Sequence, residues 1–233
     1  MVRTDRESLP QGEAKVRAVR SMFDAIAPRY DLVNRLMTFG MDVGWRRATV
    51  RRLALAPRSR VLDLACGTGD LCRELAASGH HPVGFDLSAG MLASARTDAP
   101  LAQADALRLP VGEGTVDGIT CGFALRNLVD LAAFFAELAR VVRPGGRVAL
   151  LEVSEPPNPV LRWGHRFYFG RVVPLIGGLL SNRDAYRYLP RSVAYLPAPA
   201  VLVAMLADAG FRDAERSLLS RGIAQLVVGT RDR

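Results

Sequence analysis

Apolar positions along the chain change their spacing in a regular order. Over residues 13–27, Val16, Val19, Met22, Phe23 and Ile26 recur every three or four positions. That spacing predicts an amphipathic helix, and Pro28 ends it. A second apolar-rich segment, 32–39, leads to Gly40, and a further helix is predicted over 45–55, with Pro57 closing the region. From residue 60 onward, short continuous apolar runs alternate with helical stripes. Strands are predicted at 60–65, 82–86, 101–104, 118–121 and 147–153. Helices are predicted at 70–78 and 89–96, and along the stripe Leu131, Phe134, Phe135, Leu138 and Val142, which Pro144-Gly145-Gly146 ends. A helix at 201–209 stops at Gly210. Two β-rich runs, 214–219 and 223–229, then follow with no helix between them, so they predict a hairpin that adds an antiparallel strand.

Alternation of this kind builds a doubly wound, mostly parallel α/β sheet of seven strands with a Rossmann-like winding. The chain is expected to be one domain, 1–233, in four parts. These are an N-terminal helical cap (1–57), a core (58–154), an insertion after the fifth strand (155–200), and a C-terminal helix and strand pair (201–233). In the insertion, Pro156-Pro157-Asn158-Pro159 breaks the alternation. Leu161, His165, Tyr168, Val172 and Ile176 then recur at helical spacing, interleaved with Trp163, Phe167 and Phe169. An insertion here lies near the carboxyl ends of the strands, the natural place for a lid or a substrate-binding hairpin.

The first strand runs into Ala65-Cys66-Gly67-Thr68-Gly69-Asp70. Strand, glycine turn and helix in that order cradle a nucleotide-like cofactor at the carboxyl end of a parallel sheet. A dinucleotide fingerprint needs G-x-G-x-x-G. Counted from residue 65, its glycine slots hold Ala65, Gly67 and Asp70; counted from Gly67, the third slot holds Cys72. A P-loop is excluded because no Gly-Lys-Ser/Thr follows, and Lys15 is the only lysine. What remains is an acid, then small residues, then Gly-x-Gly: Asp63, Ala65, Gly67 and Gly69. This suits a cofactor without phosphate, whose ammonium group takes acceptors from Asp63 and nearby carbonyls. Asp86 ends the second strand, where an acid accepts hydrogen bonds from ribose hydroxyls. Asp105 follows the third strand, within reach of an adenine amino group. Acids at three successive strand ends point to S-adenosylmethionine, and so to the class I fold of enzymes that use it. The expected cofactor set is Asp63, Ala65, Gly67, Thr68, Gly69, Asp86, Leu87, Met91, Asp105, Ala106 and Gly122.

Bulk properties narrow the remaining choices. Hydrophobic residues make up 49% of the chain and charged residues 23%, ordinary for a globular protein. There is no apolar run long enough to span a bilayer, and the polar residues 1–15 lack the apolar core of a secretory signal. A cytoplasmic location is expected. Cys66, Cys72 and Cys121 have no metal-binding spacing, and His80, His81 and His165 form no cluster, so no metal is expected. The net charge of +8 comes almost wholly from arginine. The arginines are scattered rather than striped, which argues against nucleic acid. Their densest group, Arg46, Arg47, Arg51 and Arg52, reads as a solvated face or as contact with an anionic membrane surface.

Three further segments carry a resemblance: Tyr30-Asp-Leu-Val-Asn34 with Trp45, Phe123-Ala-Leu-Arg-Asn127, and residues 140–154, Arg-Val-Val-Arg-Pro-Gly-Gly-Arg-Val-Ala-Leu-Leu-Glu-Val-Ser. With Ala185-Tyr-Arg-Tyr-Leu189, they resemble the ubiquinone/menaquinone biosynthesis C-methyltransferases over residues 22–210. The chain departs from that pattern at Asp42, where many members carry histidine, at Ala124, and in the tail 222–229. The resemblance implies methyl transfer from S-adenosylmethionine to a ring carbon of a polyprenylated quinol such as demethylmenaquinol. The alternative acceptor is a small phenol or other secondary metabolite. Arg126 is the first choice to stabilise the developing phenolate, since a guanidinium stays charged and offers several donors. The other reading of Arg126 is an ion pair with a buried acid. Asn127 would orient the ring, Asp31 and Asp42 would accept its proton, and Tyr30 and Tyr186 would hydrogen-bond in the pocket. A prenylated acceptor implies contact with the inner face of the cell membrane, and a homodimer is the expected assembly.

Overall fold

The computed structural model describes residues 10–180, 188 and 191–232. Three helices precede the sheet: α1 (Gly12–Ile26), α2 (Tyr30–Met37) and α3 (Met41–Leu53). A short 3-10 turn containing Pro28 separates α1 from α2. Pro28 thus stops α1 as the sequence implies, but it also starts the next turn. Helix α3 begins four residues earlier than the spacing predicts. Phe39 and Gly40 both adopt left-handed backbone (φ 51° and 74°), which reverses the chain at once and lets the helix start at Met41.

Then come β1 (Arg60–Leu64), α4 (Asp70–Ala77), β2 (His81–Asp86), α5 (Ala89–Ala93), β3 (Leu101–Gln103) and β4 (Val116–Gly122). They are followed by α6 (Leu131–Val141), β5 (Val142–Val153), α7 (Pro159–Phe167), α8 (Val173–Leu180), α9 (Pro199–Asp208), β6 (Phe211–Leu219) and β7 (Ala224–Arg231). Side-chain caps set several helix starts. The Ser88 hydroxyl accepts from the Met91 N–H, Asp130 from the Ala133 N–H, and Asn158 from the Val160 N–H. Helix α5 is a single turn, shorter than the 89–96 expected, because the Arg96 N–H is drawn to the carbonyl of Thr68. Val142, expected on the α6 stripe, instead opens β5 opposite Val116.

The seven strands form one sheet in the order β3-β2-β1-β4-β5-β7-β6. Strands β1 to β5 are parallel, while β7 runs antiparallel to both β5 and β6. Period-two alternation along β1 then decides which layer each side chain enters. Leu62 and Leu64 pack with Phe134, Phe135 and Leu138 of α6 and with Leu202 and Leu206 of α9. Val61 packs on the other face with Trp45, Val50 and Leu53 of α3 and Leu71 and Leu75 of α4. Asp63 shares the face of Val61, so it points beneath α4. Both faces of the sheet are thereby covered, as a mostly parallel sheet requires.

Candidate active site

In this strand order β1 lies between β2 and β4, and the connections leave it in opposite directions. Such a switch point opens a crevice at the carboxyl ends of the strands, where ligands bind in doubly wound sheets. The loop after β1 lines the crevice with unusual backbone. Ala65, Gly67 and Gly69 all have positive φ, at 51°, 56° and 84°. The strain at Ala65, which carries a Cβ, is of the kind stored at functional sites. At Gly69 a Cβ would sit 2.5 Å from the Thr97 methyl, so only glycine fits.

Asp86 fastens this loop. Its carboxylate accepts the Gly67 N–H at 2.8 Å and the Ser88 N–H at 2.8 Å. Burial pushes the carboxyl above its usual range, and the Ser88 and Gly67 N–H groups oppose that rise. Asp105 binds the Leu107 N–H at 2.9 Å and holds its own turn open beside β3.

These pieces border a cleft with about 880 Å³ of empty space, solvent at its mouth included. Of the expected cofactor residues, Ala65, Gly67, Asp86, Leu87, Met91, Asp105, Ala106 and Gly122 all lie on its wall. Tyr30 and Asn127 reach the same wall. Asp63, Thr68 and Gly69 do not. Asp63 is buried behind the loop, accepting from Thr120 Oγ1 at 2.8 Å and contacting Cys72 Sγ at 3.6 Å. Its place on the Val61 face of β1 explains why it braces β1 to β4.

Burial raises the Asp63 carboxyl to about 7, against the hydrogen bonds from Thr120 and Cys72. A carboxyl pKa raised in the folded state makes stability fall as pH climbs from about 4 through about 7, because the unfolded chain ionises first. Asp63→Asn keeps an acceptor for Thr120 and removes that titration. The difference in Tm between variant and wild type is expected to shift in favour of the variant between pH 5 and pH 8; a constant difference would contradict this.

The catalytic candidates divide in the same way. Asp42 is 1% exposed and accepts from Thr38 Oγ1 at 2.8 Å, with Arg46 and Arg35 paired to it. Burial works against its charge, yet Arg46, Thr38 and Arg35 hold its pKa below the usual range. Asp42 therefore ties α2 to α3 and is not on the wall of the cleft. Asp31 accepts from Thr68 Oγ1 at 2.5 Å and lies with Arg35 and Arg73 in a separate polar hollow. Arg126, expected to face the acceptor, is 6% exposed and off the cleft wall. It is paired with Glu152, and its Nε donates to Ser192 Oγ at 3.2 Å. The buried ion pair is the reading that this geometry supports. Tyr186 lies outside the described residues.

Sequence reasoning missed the roof of the cleft. Val16, Val19 and Phe23 of α1 line it, as does Phe123, whose φ of 60° comes directly after β4. Helix α1 is pinned at both ends. Lys15 Nζ donates to the Leu128 carbonyl at 2.8 Å and lies 3.6 Å from the centre of the Tyr195 ring; burial lowers its pKa to about 8. Asp24 accepts from Ser88 Oγ at 2.5 Å and from the Gly90 N–H at 2.9 Å. The apolar face of α1 was legible in its spacing, but the hydrogen-bond partners of Lys15 and Asp24 lie 64 to 113 residues away.

The residues present fit S-adenosylmethionine. Asp86 would hold the ribose hydroxyls and Asp105 and Ala106 the adenine edge, since all three line the cleft, and the Gly67 turn offers close backbone approach with no Cβ in the way. A switch-point cleft with an acid at the end of β2 and this strand order define a class I S-adenosylmethionine-dependent methyltransferase.

The chain belongs to the ubiE/COQ5 methyltransferase family, whose family model matches residues 11–231. It is 48% identical to a demethylmenaquinone methyltransferase of Thermus thermophilus, over 90% of this chain and 100% of that one. It is 44% identical to the ubiquinone/menaquinone biosynthesis C-methyltransferase of Syntrophotalea carbinolica, over 91% of this chain and 93% of that one. Among solved structures, it resembles a complex of the Haloferax volcanii Trm112 methyltransferase activator with a methyltransferase. That match has a TM-score of 0.65 at 19% identity and covers 91% of this chain and 98% of the other, a likeness of fold alone.

Proposed function

We propose that this enzyme methylates a ring carbon of a demethylated isoprenoid quinol, demethylmenaquinol in particular, to give menaquinol. The supporting observation is that Tyr30 and Asn127 share one cleft wall with the cofactor cradle, so an aromatic acceptor fits between them and the methyl donor. When bound, S-adenosylmethionine supplies an electrophilic methyl on a sulfonium. The ring carbon becomes nucleophilic when the neighbouring hydroxyl is polarised or deprotonated. Burial raises the Tyr30 pKa and keeps the phenol protonated, ready to hydrogen-bond the acceptor's oxygen. The Tyr188 hydroxyl engages Asn127 Oδ1 at 3.3 Å, so the Nδ2 hydrogens are what Asn127 offers that oxygen. Attack of a quinolate carbon on that sulfonium methyl would break its bond to sulfur and cancel both charges, and a dry wall favours such a step. S-adenosylhomocysteine leaves, and the ring carbon's proton moves to the quinol oxygen as the ring regains aromaticity. Phe23, Phe123 and the apolar face of α1 provide that wall. Positioning of the two partners supplies much of the rate.

The acceptor is lipid-borne, and the reading includes docking at the cytoplasmic face of the membrane. No helix among the described residues is long and apolar enough to cross a bilayer. Helix α7 instead exposes Val160 and Trp163 at 75% and 74%, next to Phe39 at 76%. Arg162, Arg166 and Arg171 lie alongside, as on interfacial amphipathic helices. The protein is expected to co-sediment with vesicles containing anionic lipid, less with neutral vesicles, and still less as salt rises; equal partition into both would contradict this docking mode. The homodimer is a companion expectation, and sedimentation equilibrium reads it as mass. The substrate is tested in cells lacking this protein. Mass spectrometry is expected to find demethylmenaquinone accumulated, and an unchanged quinone pool would overturn the reading.

A further inference from the structure

Behind the cofactor turn, three groups that the proposed methyl transfer does not use meet in one place. Asp63 ends beneath α4, where Cys72 Sγ lies 3.6 Å from its Oδ2. Cys72 is fully buried in the first turn of α4, while Cys66, the residue before Gly67, is 8% exposed. The Cys66 side chain hydrogen-bonds Cys72. Both sulfurs crowd the bare Cα of Gly84 on β2. A Cβ built there would lie 2.8 Å from Cys66 Sγ and 3.0 Å from Cys72 Sγ, so glycine leaves room for the pair. Gly84 stands opposite Asp63 in the register of β1 with β2, which puts the acid and both thiols on one face of the sheet. The third cysteine, Cys121, packs on the other face with Leu64 and Phe134.

This grouping has the parts of a dithiol–disulfide site: an outer sulfur, an inner sulfur, and a buried acid touching the inner one. The Cys66 hydrogen bond, burial and the Asp63 charge all push the Cys72 thiol up, so it forms no free thiolate near neutral pH. Its proton must leave as its sulfur attacks. Asp63, whose carboxyl burial raises to about 7, is placed to receive that proton.

We propose that Cys66 and Cys72 form a reversible disulfide that disables the cofactor turn, with a hydroperoxide as the oxidant. The Cys66 sulfur attacks one peroxide oxygen, the O–O bond breaks, and Cys66 sulfenic acid and water form when the peroxide is hydrogen peroxide. The Cys72 sulfur then attacks the Cys66 sulfur and the S–O bond breaks. The Cys72 proton passes through Asp63 to the departing hydroxide, giving a second water. Two thiols have then lost two electrons and two protons to one peroxide. An external dithiol reverses the change by exchange and is itself oxidised. Bond formation draws the two sulfurs closer. Cys72 is held within α4, so Cys66 moves, and it opens the turn in which Gly67 and Gly69 have positive φ. Gly67 follows directly, and its N–H is drawn off the Asp86 carboxylate that it meets at 2.8 Å.

Reduced wild-type enzyme treated with hydrogen peroxide, then digested with trypsin, provides the test. Peptide 61–73 carries both cysteines and ends at Arg73. It is expected to lose the mass of two hydrogens and to resist alkylation, while Cys121 stays a thiol. Titration calorimetry is expected to show S-adenosylmethionine binding weakened about tenfold or more by the disulfide, and dithiothreitol to restore it. Linkage requires the converse: saturating cofactor shifts the pair towards the dithiol, in a dithiothreitol redox buffer, by the same factor. Cys72→Ala is expected to keep wild-type cofactor affinity and to stop at Cys66 sulfenic acid, which dimedone traps. Asp63→Asn is expected to slow disulfide formation without slowing the first oxidation. Four results would overturn the proposal: peptide 61–73 keeping both thiols, a disulfide that includes Cys121, a Cys66–Cys72 disulfide with unchanged cofactor affinity, or Asp63→Asn forming it at the wild-type rate.

Discussion

Asp86→Ala is expected to weaken S-adenosylmethionine binding about 100-fold or more while leaving the fold in place. The side chain has two tasks. It accepts the Gly67 and Ser88 N–H groups at 2.8 Å each, which fixes the turn after β1 against the turn after β2. Its remaining lone pairs face the cleft, where an acid at the end of β2 takes the ribose hydroxyls. Hydrogen bonds to a charged group contribute about 1.5–3 kcal/mol each. Losing two of them corresponds to about two to four orders of magnitude in Kd. Titration calorimetry checks the affinity and circular dichroism the fold. A Kd within threefold of wild type would show that the cofactor does not sit at Asp86.

The second large effect concerns stability. Glu152 is fully buried, and it accepts from the Arg126 guanidinium, from the Arg126 N–H at 3.2 Å and from the Val153 N–H at 2.8 Å. Removing Arg126 leaves that carboxylate without its cation in a site closed to water. Breaking such a pair costs about 3–5 kcal/mol, whereas replacing both partners by apolar residues is often nearly neutral. Arg126→Ala is therefore expected to lower Tm by about 10 °C for a chain of this length. The double change Arg126→Met with Glu152→Leu should restore most of the loss. The same experiment separates two roles. If Arg126 touched the acceptor, Arg126→Ala would cut kcat by orders of magnitude with little change in Tm. On the geometry here, Tm falls first, and turnover falls through the displacement of Asn127.

The contrast between Asp86 and Arg126 shows what a sequence can reveal. Asp86, Asp105 and the Gly67 turn follow strand ends, and in a parallel sheet the strand ends come together whatever the connections do. Their position in the chain was therefore nearly their position in space. Asp63 lies one residue inside its strand, and period-two alternation sends it under α4 beside Cys72. That alternation is present in Val61, Leu62 and Leu64, but Asp63 stands so close to the glycine turn that chain position alone does not separate it from the residues lining the cleft. Arg126 and Asp42 lie off the cleft wall for another reason. A charged side chain carries no local sign of whether it meets a ligand or another side chain. Their partners, Glu152 and Arg46, sit 26 and 4 residues away and are buried by elements that come together only in the fold. The roof over the cofactor cleft needed long-range contacts too. Lys15 with Leu128, and Asp24 with Ser88, join α1 to segments more than 60 residues away.

The central claim is that one cleft sets a quinol ring carbon against the methyl of S-adenosylmethionine. Incubating the purified enzyme with isotopically labelled S-adenosylmethionine and reduced demethylmenaquinone, then locating the label by mass spectrometry and NMR, tests it directly. The account predicts one labelled methyl on the ring carbon, with that carbon's hydrogen lost and S-adenosylhomocysteine formed in equal amount. Label on a quinol oxygen, or methylation of a soluble phenol with none of the quinol, would contradict it.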